Sequence, residues 1–110
     1  MLAEVESLPE QKPDVNAVIT AVARLYEITD DCLRTQSRER LLAEARGVAA
    51  WATLELSGGK LTELARKLKR EPSTLTCAKR RIESRKGKDH LLDDKLKQLR
   101  HDLMNQIIKS

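Results

Sequence analysis

The residues of this chain best suited to binding chemistry are the hydroxyls and cations gathered between Lys60 and Arg85. Ser73, Thr74, Thr76, Cys77, Lys79, Arg80, Arg81 and Ser84 are interleaved with Leu75, Ala78 and Ile82, so a helix here has one apolar side and one that is hydrogen-bonding and positive. Small hydroxyls beside arginines are groups that suit a DNA groove. A threonine methyl packs on a thymine methyl, and a guanidinium bonds a guanine edge through two N–H groups. On this pattern Ser73, Thr74 and Cys77 are expected at base edges, Pro72 beside them at the DNA, and Arg46 and Arg70 as paired guanine contacts. Arg46 has Ala50 rather than an acid four residues on, which leaves its guanidinium free in the sequence pattern. Lys60, Thr62, Lys79 and Arg80 are expected on phosphates, where they position the domain without reading sequence. Arg34, Arg38 and Arg40 fall in a polar stretch, residues 34–40, with almost nothing to bury. It is either an ordinary interhelix loop or a basic arm that touches backbone or enters a minor groove, where arginine is favoured.

Positioning such groups requires a helix-turn-helix, and residues 60–85 have its pattern. Leu61, Leu64, Ala65 and Leu68 recur at i, i+3, i+4 and i+7, which predicts a first helix. Lys69-Arg70-Glu71 is the turn. Pro72 then opens a second helix over 72–85, where its fixed φ fits and its missing N–H has no intrahelical partner to lose. Upstream, Asp14 caps a helix striped by Val15, Val18, Ile19, Val22 and Tyr26, and Thr29 caps a short one over Asp30 to Arg34. Leu41 to Leu56, rich in alanine, predicts a long central helix with Trp51 in the core, ended by Ser57-Gly58-Gly59. Asp89 caps a last helix reaching about Ile108, striped by Leu92, Leu96, Leu99, Leu103 and Ile107 and widened by Leu91, Met104 and Ile108. That stripe packs on the chain's own helices or supports a homodimer through helix 89–108. The expectation is an all-α domain of about six helices over residues 13–110, preceded by a flexible acidic tail, residues 1–12.

Charge sharpens this picture. Residues 1–31 carry seven acids and two bases, whereas residues 32–88 carry fifteen bases and six acids. Positive charge is thus concentrated around the candidate helix-turn-helix, as neutralising a phosphate backbone requires. Single strands need exposed aromatic platforms, and Tyr26 and Trp51, both on apolar stripes, are the sole aromatics. Double-stranded DNA is therefore the expected partner. No apolar run approaches the roughly 18 residues of a membrane span, and the acidic start is unlike a signal, so a cytoplasmic protein with no membrane partner is expected. Cys32 and Cys77 are read as reduced thiols, Cys32 as core filler and Cys77 facing a groove or a turn.

Catalysis finds no support. His90 and His101 lack the cysteine or carboxylate spacing of a zinc site, and Ser73 and Ser84 have no histidine base near them in sequence. The expectation is no enzyme, no cofactor and no metal. The rival to DNA binding is a protein-interaction or dimerisation module built on the same scaffold.

From about Val22 to Leu99 the chain resembles the C-terminal DNA-binding domain, domain IV, of the bacterial replication initiator DnaA. It is closer still to the DnaA-like tail of transposases associated with repetitive extragenic palindromes. The resemblance runs through Val22-Ala23, Tyr26, Ile28, Leu33 and the basic stretch. It continues through Ala45-Arg46-Gly47-Val48-Ala49, Glu55-Leu56 and Leu61-Thr62-Glu63-Leu64-Ala65. Arg70-Glu71-Pro72-Ser73-Thr74-Leu75 and the run from Ala78 to Glu83 complete it. It implies an all-α, Trp-repressor-like helix-turn-helix domain with a basic loop in the minor groove, serving replication or transposition. The initiator's base-reading Asp-His-Thr-Thr run is Glu71-Pro72-Ser73-Thr74 here, and its Gln beside a base-contacting Arg is Gly47, the Arg being kept as Arg46. The resemblance therefore implies DNA binding, and gives little support to recognition of the DnaA box. Neither a Gly-rich phosphate loop nor a tyrosine with a paired-histidine motif accompanies it.

Overall fold

Asp14 stands in extended backbone at the head of the first helix, and its carboxylate accepts the Ala17 N–H at 2.8 Å. It thereby satisfies one of the donors that a helix start leaves without an intrahelical partner. The structure, a computed structural model, describes residues 14–35 and 39–109, with side chains as far as 105. The acidic tail, Gln36, Ser37 and Arg38 lie outside the described residues, as do the side chains of Ile107 and Ile108. The described residues form α1 (Val15–Leu25), α2 (Asp30–Arg34), α3 (Arg40–Ala52) with a π-helical turn over Thr53–Ser57, α4 (Leu61–Leu68), α5 (Pro72–Arg85) and α6 (His90–Lys109). Among the described residues the fold is all-α with six α-helices, as the patterning requires.

Local chemistry explains the breaks. Thr29 accepts the Cys32 N–H at 3.3 Å and starts α2, with Asp30 and Asp31 in the first turn, where the macrodipole favours acids. Cys32 is half-exposed beside this cap rather than in the core, while its neighbour Leu33 is fully buried. The central helix does not run unbroken to Leu56. The Thr53 hydroxyl donates to the Ala49 carbonyl at 2.8 Å inside the protein, and the ladder widens into a π turn at that point. Gly58, at φ 71°, then closes it in the left-handed conformation.

The core is one cluster. Val18, Ile19 and Val22 of α1, the small residues of α3 with Trp51, Leu64 and Leu68 of α4, and Leu75 and Ile82 of α5 meet in it. Each fully buried Leu or Ile contributes roughly 1.5–3 kcal/mol relative to exposure. The α6 stripe Leu92, Leu96, Leu99 and Leu103 is buried here too, packed largely on α1. The chain itself thus buries most of the stripe that would otherwise suit a dimer contact. Leu91 and Met104, expected to widen it, are instead 75% and 55% exposed.

The α3–α5 packing is the most extensive between described elements and fixes the helix-turn-helix on its scaffold. Gly47 makes it possible. A Cβ added there would lie 2.8 Å from Ile82 Cγ1 and 2.9 Å from the Ala78 carbonyl oxygen, so the two helices touch along backbone as well as side chains.

Candidate nucleic-acid interface

Leu64, Ala65 and Leu68 bury one face of α4, and Lys69, at φ 57°, turns the chain out of it. The Arg70 N–H returns to the Ala65 carbonyl at 2.9 Å, closing a Schellman-type end. Pro72 is the first residue of α5, so the second helix starts where its sequence requires. Leu75 and Ile82 point into the core and fix the rotation of α5 about its axis. That rotation leaves Ser73, Cys77, Arg80 and Ser84 on the opposite, exposed side, flanked by Thr74 and Arg81. Thr76 is half-buried and donates its hydroxyl to the Pro72 carbonyl at 3.0 Å.

The other predicted residues divide into exposed and committed groups. Lys60, Thr62 and Arg40 are exposed. Lys79 is largely covered and pairs with Glu83 at 3.1 Å, which reduces the positive charge it offers. Arg34 is the last residue of α2 rather than part of a loop. Its Nε–H donates to the Lys67 carbonyl at 2.9 Å, near the end of α4, and its Nη1 meets Asp31 at 3.2 Å. Arg38 lies outside the described residues, so the basic stretch is represented by its two ends.

Arg46 corrects the expectation of a free guanidinium. It is only 6% exposed. Its Nε–H donates to the Leu33 carbonyl at 3.0 Å and its Nη2–H to the Thr35 carbonyl at 2.7 Å. An i+4 rule sees partners on one helix only, whereas these partners are backbone oxygens from the preceding element. Arg70 is half-buried, and its Nη2–H donates to the same Thr35 carbonyl. Burial first, and the Arg70 charge second, lower the Arg46 pKa below the ordinary arginine value, yet a guanidinium keeps its proton in proteins. Gly47 likewise faces α5. In this chain the position packs helices.

Between α3 and α5 runs an open groove walled by Arg40, Arg46, Arg70, Thr74, Cys77, Arg81 and Arg85, with Glu44 at its base. Glu44 was not singled out in the sequence. It takes the Tyr26 hydroxyl at 2.6 Å, Arg85 at 3.0 Å and Lys95 at 3.4 Å, joining α1, α3, α5 and α6. Burial alone would raise its carboxyl, but hydrogen bonds from Tyr26 and Arg85 and the charges of Lys95 and Arg85 hold it below its ordinary value. Arg85 also reaches Asp89 at 2.6 Å, and Lys95 lies 4.5 Å from the Tyr26 ring centre. A lone acid on an otherwise alanine-rich helix was the available signal. Its partners, eighteen to fifty-one residues away, were not.

The fold and this surface define a small helical domain carrying a helix-turn-helix whose second helix presents a polar, basic side. A family model described as the bacterial DnaA protein helix-turn-helix matches residues 15–82, and the chain belongs to that family. The matched domain is a non-catalytic DNA-binding one. No curated protein matches the chain. No helix among the described residues is long and apolar enough to cross a membrane.

Proposed function

We propose that this chain binds double-stranded DNA sequence-specifically, with α5 in the major groove and the 34–40 stretch on flanking backbone or in the adjoining minor groove, in a DnaA-like or transposase-associated setting. One observation carries the proposal. On the second helix of a helix-turn-helix, Leu75 and Ile82 are buried while Ser73, Cys77 and Arg80 stand exposed on the side away from them, with exposed Thr74 at its flank. An α-helix fits the major groove, and a recognition helix contacts base edges through residues near its N-terminus, where Ser73 and Thr74 lie. Pro72 offers no side-chain hydrogen bond, so polar reading passes to Ser73 and Thr74 in the first turn and to Cys77 one turn on. Lys60, Thr62 and Arg80 hold phosphates, Arg40 meets the backbone beside the basic stretch, and Lys79 contributes less because of Glu83.

Selection from a random duplex pool across a salt series tests this. Recovery of one enriched motif is the expected result, and recovery of none rejects sequence-specific binding. On that motif Ser73→Ala should lose about 1–3 kcal/mol at one base position and little elsewhere. Arg80→Ala should instead weaken every duplex and reduce the salt slope by about 0.9. An equal effect of both variants on all sequences would remove Ser73 from the base-reading set.

A further inference from the structure

We infer that Arg46 and Arg70 form a clamp that holds the end of α2 against the helix-turn-helix, acting as positioning residues rather than as base readers. The inference rests on the DNA-binding reading above. A bidentate guanine contact uses two N–H groups of one guanidinium. In Arg46 both Nε and Nη2 already donate to backbone carbonyls. In Arg70 one Nη2–H is engaged and the Nε is covered with no hydrogen-bond partner, so the side-on fork through Nε is closed to a base. Both side chains converge on the Thr35 oxygen, one from α3 and the other from the turn between α4 and α5.

The oxygens they take follow from the local chain. α2 is five residues long, and the last carbonyls of a helix have no intrahelical donor. The oxygen of Leu33, a fully buried residue, would otherwise be unmet beside a packed core. Arg34 supplies a further tie by donating to the Lys67 carbonyl. The point where the chain leaves α2 is thereby set relative to α3, α4 and the turn before Pro72. If α5 and the basic stretch meet one duplex together, the clamp fixes their spacing before binding, so less ordering is needed on contact.

The test compares wild type with R46A, R70A, the double variant and R70K. Anisotropy titrations use the selected duplex over a salt series, and amide exchange follows residues 35–40 in the free protein. R70A should bind about tenfold more weakly, the cost of ordering a few freed side chains. The salt slope should stay unchanged, because the same phosphates are neutralised once the complex forms. The double variant should be no weaker than the weaker single one, since both arms grip one oxygen. R70K should recover most of the loss, because one ammonium donor can serve a carbonyl but cannot reproduce a fork on guanine. Exchange at 35–40 should rise in R70A while α5 stays protected. Arg46 is buried, so R70A alone decides the matter if R46A does not fold.

Losses that add, each with a slope lowered by about 0.9, would mean direct phosphate contacts and overturn the clamp. So would R70K no better than R70A with preference lost at one base, or unchanged exchange at 35–40. If the wild-type chain binds no duplex, the DNA reading fails by itself, and the exchange experiment still decides for or against the clamp.

Discussion

Glu44 and Arg46 lie two residues apart on α3, on different sides of the helix, and both are charges set against the core. Glu44 is met by opposite charge and a phenol from three other helices. Arg46 is met by carbonyl oxygens from the end of α2, with Arg70 beside it. The first centre holds helices to one another and is sensitive to protons. The second holds a connection and is indifferent to protons, since neither guanidinium nor carbonyl titrates near neutrality. A buried charge is therefore no single kind of device. The partner type decides whether it supports stability or geometry.

The widest separation between the two centres is expected from Glu44→Ala. It leaves the Tyr26 hydroxyl without its acceptor and takes one partner from Arg85 and one from Lys95, which keep Asp89 and the Tyr26 ring. The change should cost about 1–3 kcal/mol in urea unfolding, below a fully buried break because both cations reach solvent. Arg70→Ala, by contrast, should leave urea stability within about 1 kcal/mol while weakening DNA binding, and equal losses of stability in the two variants would dissolve the distinction.

Acid titration gives the next effect. The hydrogen bond from Arg85, followed by the Leu92 N–H, holds the Asp89 carboxyl below its ordinary value, and Glu44 is depressed as well. A depressed carboxyl contributes stability that is fully present above its unfolded-state pKa and is lost as pH falls through the folded one. Stability should therefore fall below the ordinary carboxylate range, and Glu44→Gln should flatten part of that fall. Arg70→Ala should leave its shape unchanged, as thermal melts across acid pH would show.

Gly47→Ala probes the ground between the centres. A new methyl against the Ala78 carbonyl and Ile82 costs about 1–3 kcal/mol as overpacking, of which better helix propensity returns up to about 1. A net loss of up to about 2 kcal/mol is expected by urea unfolding, and a net gain would mean that α3 and α5 can part without penalty. The smallest effect belongs to Cys77→Ser on the exposed side of α5, which should change stability by less than about 0.5 kcal/mol and be felt only in base preference.

Much of this architecture was legible in the chain because its signals are local. Asp14, Thr29 and Asp89 announce helix starts, since a short polar side chain reaches N–H groups two or three residues away. The 3.6-residue stripe of Leu61, Leu64 and Leu68, the turn, and Pro72 place the helix-turn-helix, and the spacing of Leu75 and Ile82 turns its hydroxyls outward. The break at Thr53 was not legible, because a hydroxyl bonding back one turn and a plain helical residue look alike in a pattern. Leu91 looked inward because a stripe states period, not how wide a face its neighbours cover.

Sequence alone determined where helices begin, which side of each is apolar, and that α5 carries a cationic, hydroxyl-rich surface, for these depend on propensity, capping and period within a few residues. Only the tertiary structure decided what each charge does there. Arg46 and Arg70 find one oxygen on Thr35, eleven and thirty-five residues away, and Glu44 finds Lys95 across fifty-one. Polar partnership depends on distance in space, to which spacing along the chain is blind.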